Sequence, residues 1–379
     1  MRVLVVSGIW PPDVGGPASH APDVARFLRQ RGNTVEVVTT ATSPPAAFDV
    51  PVHWVSRRLP KGAIHVATAA EIARRAVHAD VVYTTGMFGR SSAGATLARR
   101  PYVLKLTADP AFERARRRGI VVGDVDAFQA LGGGPAVRLL RLARDAELRR
   151  AAHIFTPSGY LRELAVSWGV RPDRVSVLPN PSPPIPELAA RESLREGFQM
   201  DGSTLAFAGR LTMQKALGDA LEALSHVDGV TLLIAGDGDQ RTSLEARVAE
   251  LGLGARVRFL GPLPRDRIVE LFRAADASIL SSSWENFPHS VVEALAAGTP
   301  VIATAVGGVA EVVRDDENGL LVAPGDVEAL SEAIRRFFDD VVLRDRLRAA
   351  SVASVAEYAP ERVFARLEET LASVVRTDG

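Results

Sequence analysis

A chain of 379 residues has room for two compact domains, and its 45 Lys and Arg offset 45 Asp and Glu, so no net charge directs it toward nucleic acid. It has no cysteine, which removes disulfides and thiolate chemistry, and no apolar run reaches the roughly 18 residues that a membrane span needs. The neutrality conceals an asymmetry: residues 1–180 hold 25 basic against 14 acidic residues, and the remainder holds 20 against 31. Either the two halves attract each other, or the basic half faces an anionic acceptor or an acidic membrane surface.

Met1-Arg2-Val3-Leu4-Val5-Val6 reads as a first strand, buried on both faces, rather than a secretory leader. The expected location is cytoplasmic, with peripheral contact at the inner membrane face as an extension. A loop follows, then a helix over about 18–31 stopped by Gly32, then a strand at Val35–Thr39. This β–loop–α–β unit lacks the glycine spacing of a dinucleotide fingerprint. Gly15-Gly16 is either a plain turn or a place where bare N–H groups approach a phosphate or sugar. His20 reads as a helix-face residue.

Val81–Thr84 and Tyr102–Thr107 continue the strand series. Lys105, Thr107 and Asp109 share parity and point the same way along an extended chain. Asp109 then sits near a strand's carboxyl end, as a hydrogen-bond acceptor for a substrate hydroxyl or as a turn former before Pro110. Arg114, Arg116, Arg117 and Arg118 are too many charges for a buried segment. They form a solvated helix end, or a clamp for an anionic acceptor, since guanidinium groups pair well with phosphate. From Val137 a helix resumes and is read as core-facing, with an interfacial amphipathic role as the alternative.

Pro181-Ser182-Pro183-Pro184-Ile185-Pro186 is a semi-rigid linker and sets a domain boundary, giving domains at 1–181 and 182–358 and a final helical segment at 359–379. A second α/β series follows. Thr204–Ala208 is a strand, and Arg210 and Lys215 flank its exit into a helix, where two fixed cations could neutralise a diphosphate. Lys215 stands out because the chain has only two other lysines, Lys61 and Lys105. Val257–Leu263 is a further strand and loop. Ala277–Leu280 is a short buried strand, Ser281-Ser282-Ser283 turns the chain, Pro288 suits a first helical turn, and Gly298 with Pro300 ends the helix. Glu285 falls in the loop beyond the strand, and Glu293 about one and a half turns into the helix. The amides of Phe287 to Ser290 between them have no intrahelical partners and suit a phosphate.

Glu285, seven residues, Glu293, then Ala294-Leu295-Ala296-Ala297-Gly298-Thr299-Pro300-Val301 resembles the signature of the retaining family 4 glycosyltransferases. Gly209-Arg210 followed by Lys215, Gly307-Gly308 through Val313, and Asn318–Val322 resemble the family too. The resemblance spans nearly the whole chain and is strongest from Gly209 to Gly325. It implies α/β architecture with two doubly wound Rossmann-like domains facing across a cleft, the GT-B arrangement, and a C-terminal helix crossing back to the first domain. It implies transfer of a hexose from a nucleotide-diphosphate sugar, UDP- or GDP-linked, to an acceptor hydroxyl with retention, in glycan, glycolipid or polysaccharide synthesis. In the family, the position of Glu285 binds donor-sugar hydroxyls and that of Glu293 the ribose. Phe287, Pro288, His289 and Ser290 line the sugar and diphosphate through main chain, Arg210 and Lys215 hold the diphosphate, the loop at Leu263 lies against the base, and Gly15 and Gly16 face the donor. The catalytic set is therefore Glu285, Arg210, Lys215 and Asp109.

Retaining hydrolases place two carboxyl groups roughly 5–5.5 Å apart, one of them a nucleophile. No candidate nucleophile is evident here, and the family's front-face attack, in which the leaving phosphate takes the acceptor proton, fits better. No metal or other cofactor is expected, because cations and a helix start serve the diphosphate. Three positions depart from the family. Ala108 replaces a His, Pro181 stands where Gly is usual, and Ala216 replaces the Gly after the lysine, which tightens that turn. Glu311 reads as structural. A nucleotide-sugar epimerase of similar fold and a noncatalytic sugar-binding scaffold are the alternative readings.

Overall fold

In the computed structural model the chain divides into two compact units, residues 1–179 with 361–379, and residues 180–360. The structure describes residues 1–13, 16–121, 125–130 and 132–378, with the backbone alone at 16–19, 61, 126 and 378.

The amino-terminal unit is built on seven parallel strands: β1 (Arg2–Ser7), β2 (Thr34–Ala41), β3 (Val52–Ser56), β4 (Val81–Thr84), β5 (Tyr102–Lys105), β6 (His153–Thr156) and β7 (Val175–Val177). Their order is β3-β2-β1-β4-β5-β6-β7, so the winding reverses between β1 and β4. Every residue of β4 and β5 is buried, as expected of a parallel sheet covered on both faces. Alternation sorts the side chains. Val3, Val5, Tyr83, Val103 and Phe155 pack under the helices Gly16–Gln30 and Pro360–Asp378. Leu4, Val6, Val82, Leu104 and Ile154 pack with Ile72, Ala95, Leu148 and Leu161.

The C-terminal helix belongs to this unit because of one apolar stripe. Val363, Phe364, Leu367 and Leu371 recur at helical spacing and are all buried, each burial contributing about 1.5–3 kcal/mol. Glu368 fixes its rotation, accepting hydrogen bonds from Arg31 Nε at 3.1 Å and Asn33 Nδ2 at 2.7 Å.

The second unit has six parallel strands: β8 (Ser203–Ala208), β9 (Val230–Ala235), β10 (Val257–Gly261), β11 (Ala277–Leu280), β12 (Val301–Thr304) and β13 (Gly319–Val322). They lie in the order β10-β9-β8-β11-β12-β13. The chain winds outward from β8 to β10, returns through the helix Arg265–Ala274, and winds the other way from β11. The carboxyl ends of β8 and β11 therefore flank the reversal point, where a doubly wound sheet binds its ligand. Residues 181–186 have no regular structure, and the Ser182 amide is held by the Tyr358 carbonyl at 2.7 Å. Among the described residues, no helix is long and apolar enough to cross a membrane.

Candidate active site

Arg210 and Lys215 leave β8, and Glu285 leaves β11, on the two sides of the reversal point. After Gly209 the chain enters a 3-10 turn, Met213–Lys215, and the helix Leu217–Ser225 begins only past Ala216. Ala216 adopts φ 43° and ψ 40°, a left-handed conformation that costs a residue with a Cβ about 1–2 kcal/mol. The turn is thus kept without the glycine, at the cost of local strain.

Hydrogen bonds join the two exits. The Ser283 amide donates to the Gln214 carbonyl at 2.8 Å, Gln214 Nε2 to the Trp284 carbonyl at 2.9 Å, and the Ser281 hydroxyl to the Lys215 carbonyl at 3.0 Å. This brings the Lys215 ammonium onto Glu285 Oε1, which also accepts the Ser282 hydroxyl at 2.8 Å. Glu285 is 5% exposed. Among the described residues its Oε2 has no protein partner, and the exposed Arg210 makes no ion pair. The site thus holds one spare carboxylate oxygen and one spare cation.

The helix His289–Ala296 follows the β11 exit loop and buries Val291, Val292 and Leu295. Two details correct the expectation. Pro288 precedes the helix, at φ −87° and ψ 80°, instead of lying in its first turn. The His289 amide donates to the Phe287 carbonyl at 3.1 Å and so is not a free donor. The Phe287 ring is packed edge-on against His289 and Tyr358, with centroids 5.4 and 5.9 Å away, so its side chain holds the loop in place. The exposed His289 has its Nε2 3.1 Å from Asn180 Nδ2, and Ser290 is half-buried. Glu293 Oε1 accepts Arg265 Nη2 at 3.3 Å. Burial pushes the Glu293 carboxyl above its ordinary range, and the Arg265 charge and hydrogen bond pull it back. Leu263, in the loop after β10, is half-buried against the core.

In the amino-terminal unit the sequence expectations fare differently. Gly15 lies outside the described residues, and Gly16 begins the first helix. Asp109 does not offer an oxygen to a substrate. Its Oδ1 caps the helix Pro110–Arg117 by accepting the Ala111 amide at 2.8 Å. Its Oδ2 takes Gln129 Nε2 at 2.9 Å and Arg144 Nη1 at 3.1 Å, with its side chain 0% exposed. Arg144 stacks 4.0 Å over the Trp168 ring, and Trp168 Nε1 donates to Gln129 Oε1 at 2.9 Å. Asp109 is therefore a structural cap and leaves the catalytic set.

Arg114 is likewise not part of a clamp. Its Nη2 bonds both oxygens of Glu147, at 2.9 and 2.8 Å. Arg116, Arg117 and Arg118 are exposed. His20 Nε2 lies 2.8 Å from the Tyr83 hydroxyl and its ring 5.8 Å from that of Phe364, as a packed helix-face residue. The helix Pro135–Arg149 is core-facing through Val137, Leu140 and Leu148, yet exposes Leu139 and Leu142 on its other side.

Residues 191–352 match the family described as "Glycosyl transferases group 1", and residues 15–181 match "Glycosyl transferase 4-like domain". The D-inositol 3-phosphate glycosyltransferase of Xylanimonas cellulosilytica is 29% identical, covering 96% of this chain and 93% of the relative. That of Acidothermus cellulolyticus is 30% identical, covering 89% of this chain and 81% of the relative. The chain is a family 4 glycosyltransferase of the GT-B class. This settles the choice among transferase, epimerase and scaffold in favour of the first. The crystal structure of Anabaena Alr3699/HepE in complex with UDP shares the transferase's fold, with a TM-score of 0.81 over 98% of this chain and all of that one, at 22% identity.

Sequence reading missed three supports of the transferase's site. Ser282 reads in the sequence as turn material, although its spacing of three from Glu285 puts it within reach of the carboxylate. Gly307 has φ 46°, and a Cβ there would lie 1.8 Å from the Glu285 carbonyl oxygen, so only glycine lets the β12 exit press on that loop. The Gly308 amide then donates to the same carbonyl at 3.1 Å. Arg265, the partner of Glu293, opens the helix Arg265–Ala274 that follows β10, and nothing local in the sequence marks it. Among the described residues, no group of three or more His, Asp and Glu could hold a metal ion.

Proposed function

We propose that the donor is a nucleoside-diphosphate sugar, UDP- or GDP-linked, bound at the β8–β11 reversal point and transferred with retention. The observation that carries this reading is the meeting of Lys215 and Glu285 there, with Oε2 and the Arg210 that leaves the same strand end both without a partner among the described residues. Arg210, Lys215 and the helix start neutralise the diphosphate, Glu285 Oε2 accepts a sugar hydroxyl, and Glu293 accepts the ribose hydroxyls. The acceptor oxygen bonds to the anomeric carbon on the face from which the diphosphate departs. The breaking C–O pair goes to the phosphate oxygen, and that oxygen takes the acceptor's proton. The two cations stabilise the charge that grows on it, so the reading calls for no metal ion.

The UDP-bound Anabaena structure makes a UDP-linked sugar the first donor to test. The acceptor is read as anionic, free or lipid-linked, because Arg116, Arg117 and Arg118 are exposed on a basic half. The reading also keeps a cytoplasmic location with peripheral membrane contact, for which exposed Leu139 and Leu142 supply apolar surface.

Calorimetry with UDP and GDP, together with release of free sugar from UDP-glucose and GDP-mannose with and without EDTA, tests the donor assignment. Glu293→Ala is expected to abolish nucleotide binding and Glu285→Ala to spare it while slowing turnover. Nucleotide affinity unchanged in Glu293→Ala would refute the ribose assignment, and turnover lost in EDTA would refute the role given to the cations.

A further inference from the structure

Glu285 Oε1 accepts two donors at once, the Lys215 ammonium and the Ser282 hydroxyl. Under the donor assignment above, on which this inference rests, Lys215 cannot keep that position. Its charge is claimed by the diphosphate when the donor arrives. A buried carboxylate that loses its only cation must find another donor, turn away, or take up a proton.

Ser282 is the donor that stays. It is fully buried and its own carbonyl is held by Thr304 Oγ1 at 2.6 Å. The main chain of Glu285 is fixed independently by the Gly308 amide at 3.1 Å. With both the backbone and Oε1 held, Oε2 is the oxygen left to face a ligand.

We infer that Ser282 is a positioning residue: it keeps Glu285 aimed at the donor sugar once the diphosphate has drawn Lys215 away. Lys215 and Glu285 then form a pair only in the unloaded protein, and binding the donor removes Lys215 from Oε1 and adds a sugar hydroxyl at Oε2 without moving the carboxylate.

The test is a double-mutant cycle on binding, with Ser282→Ala, Glu285→Ala and the combined variant titrated by calorimetry. The probes are UDP and UDP-glucose, or GDP and GDP-mannose if the parent prefers them. Ser282→Ala is expected to weaken the sugar nucleotide about 10-fold, to leave the free diphosphate within about 2-fold, and to add less than about 2-fold on the Glu285→Ala background. Ser282→Cys, close in size and a weaker donor, should fall between parent and Ala, and it stands in if the Ala variant does not fold. Equal losses in both backgrounds, or equal losses for the diphosphate and the sugar nucleotide, would mean that Ser282 only supports the fold and would overturn the inference. If Glu285→Ala itself binds the sugar nucleotide like the parent, the sugar role of Glu285 is what fails.

Discussion

Replacing Lys105 with Met removes a buried charge that no described carboxylate neutralises. Lys105 ends β5, is 1% exposed, and bonds a single acceptor, the Pro179 carbonyl at 3.3 Å. Among the described residues no carboxylate pairs with it. Burial accordingly pushes its ammonium down from 10.5 to about 7. The sign follows from linkage. Between pH 7 and 10.5 the unfolded chain holds a proton that the folded one has released, so stability rises with pH across that window. Below it both states are protonated and the full penalty stands. The shift corresponds to roughly 5 kcal/mol, against which Met leaves one carbonyl unsatisfied at about 1–2 kcal/mol. Lys105→Met should therefore stabilise the unit by about 3 kcal/mol at pH 7, with the advantage gone near pH 10. Urea unfolding followed by tryptophan fluorescence suits the measurement, because Trp10, Trp54 and Trp168 lie in this unit and only Trp284 in the other. A Met variant no more stable than the parent at pH 7, or one whose stability climbs in parallel with the parent's up to pH 10, would refute the reasoning.

Other substitutions separate the remaining roles. Ala216→Gly relieves the left-handed strain and should stabilise the second unit by about 0.5–1 kcal/mol, read as a raised melting temperature with nucleotide affinity unchanged. Gly307→Ala puts a methyl group into the Glu285 carbonyl and should cut sugar release at least about 10-fold, checked by the same hydrolysis assay. Asp109→Ala removes the helix cap and leaves Gln129 Nε2 and Arg144 Nη1 without their acceptor, although Arg144 Nε keeps Asp145, and should destabilise the amino-terminal unit by about 2–4 kcal/mol while leaving UDP affinity intact, which calorimetry beside urea unfolding would show. Because Glu293 is raised by burial and held down by Arg265, nucleotide affinity should fall as acid protonates Glu293, and Arg265→Ala should move that loss to higher pH, as titrations from pH 5 to 8 would reveal.

The alternating strand–helix series was legible because parallel strands buried on both faces leave short apolar runs, bounded by Gly and Ser, while the doubly wound two-domain arrangement came from the family resemblance. The exits of β8 and β11 were legible for the same reason, and the family signature singled out Arg210, Lys215 and Glu285 at them. What escaped depends on partners remote in sequence. Asp before Pro serves equally as a ligand or a cap, and only Arg144, 35 residues away on another helix, decides it. Arg114 is indistinguishable from Arg116 in the sequence until Glu147, 33 residues on, claims it. Parity gave the direction of Lys105 but not that two helices cover the face it points to. The press of Gly307 on Glu285 joins loops 22 positions apart, and the glycine pair announces flexibility without saying what it touches.

Burial by itself does not separate the structural acid from the functional one, since Asp109 is 1% and Glu285 5% exposed. The difference lies in the hydrogen-bonding capacity each has left. Asp109 receives an amide, an amide side chain and a guanidinium, and adding a ligand would mean removing one of them at a cost of about 1–3 kcal/mol. Glu285 concentrates both of its donors on Oε1 and keeps Oε2 in reserve, and Arg210 at the β8 exit makes no ion pair among the described residues. A ligand hydroxyl at Oε2 displaces nothing that the fold requires, and an anion at Arg210 breaks no existing bond. Only the Lys215 pair must open, and the diphosphate that opens it gives Lys215 a new anionic partner while Ser282 stays on Glu285. That is why we propose the donor site at the β8–β11 reversal point and not at the equally buried carboxylate of the amino-terminal unit.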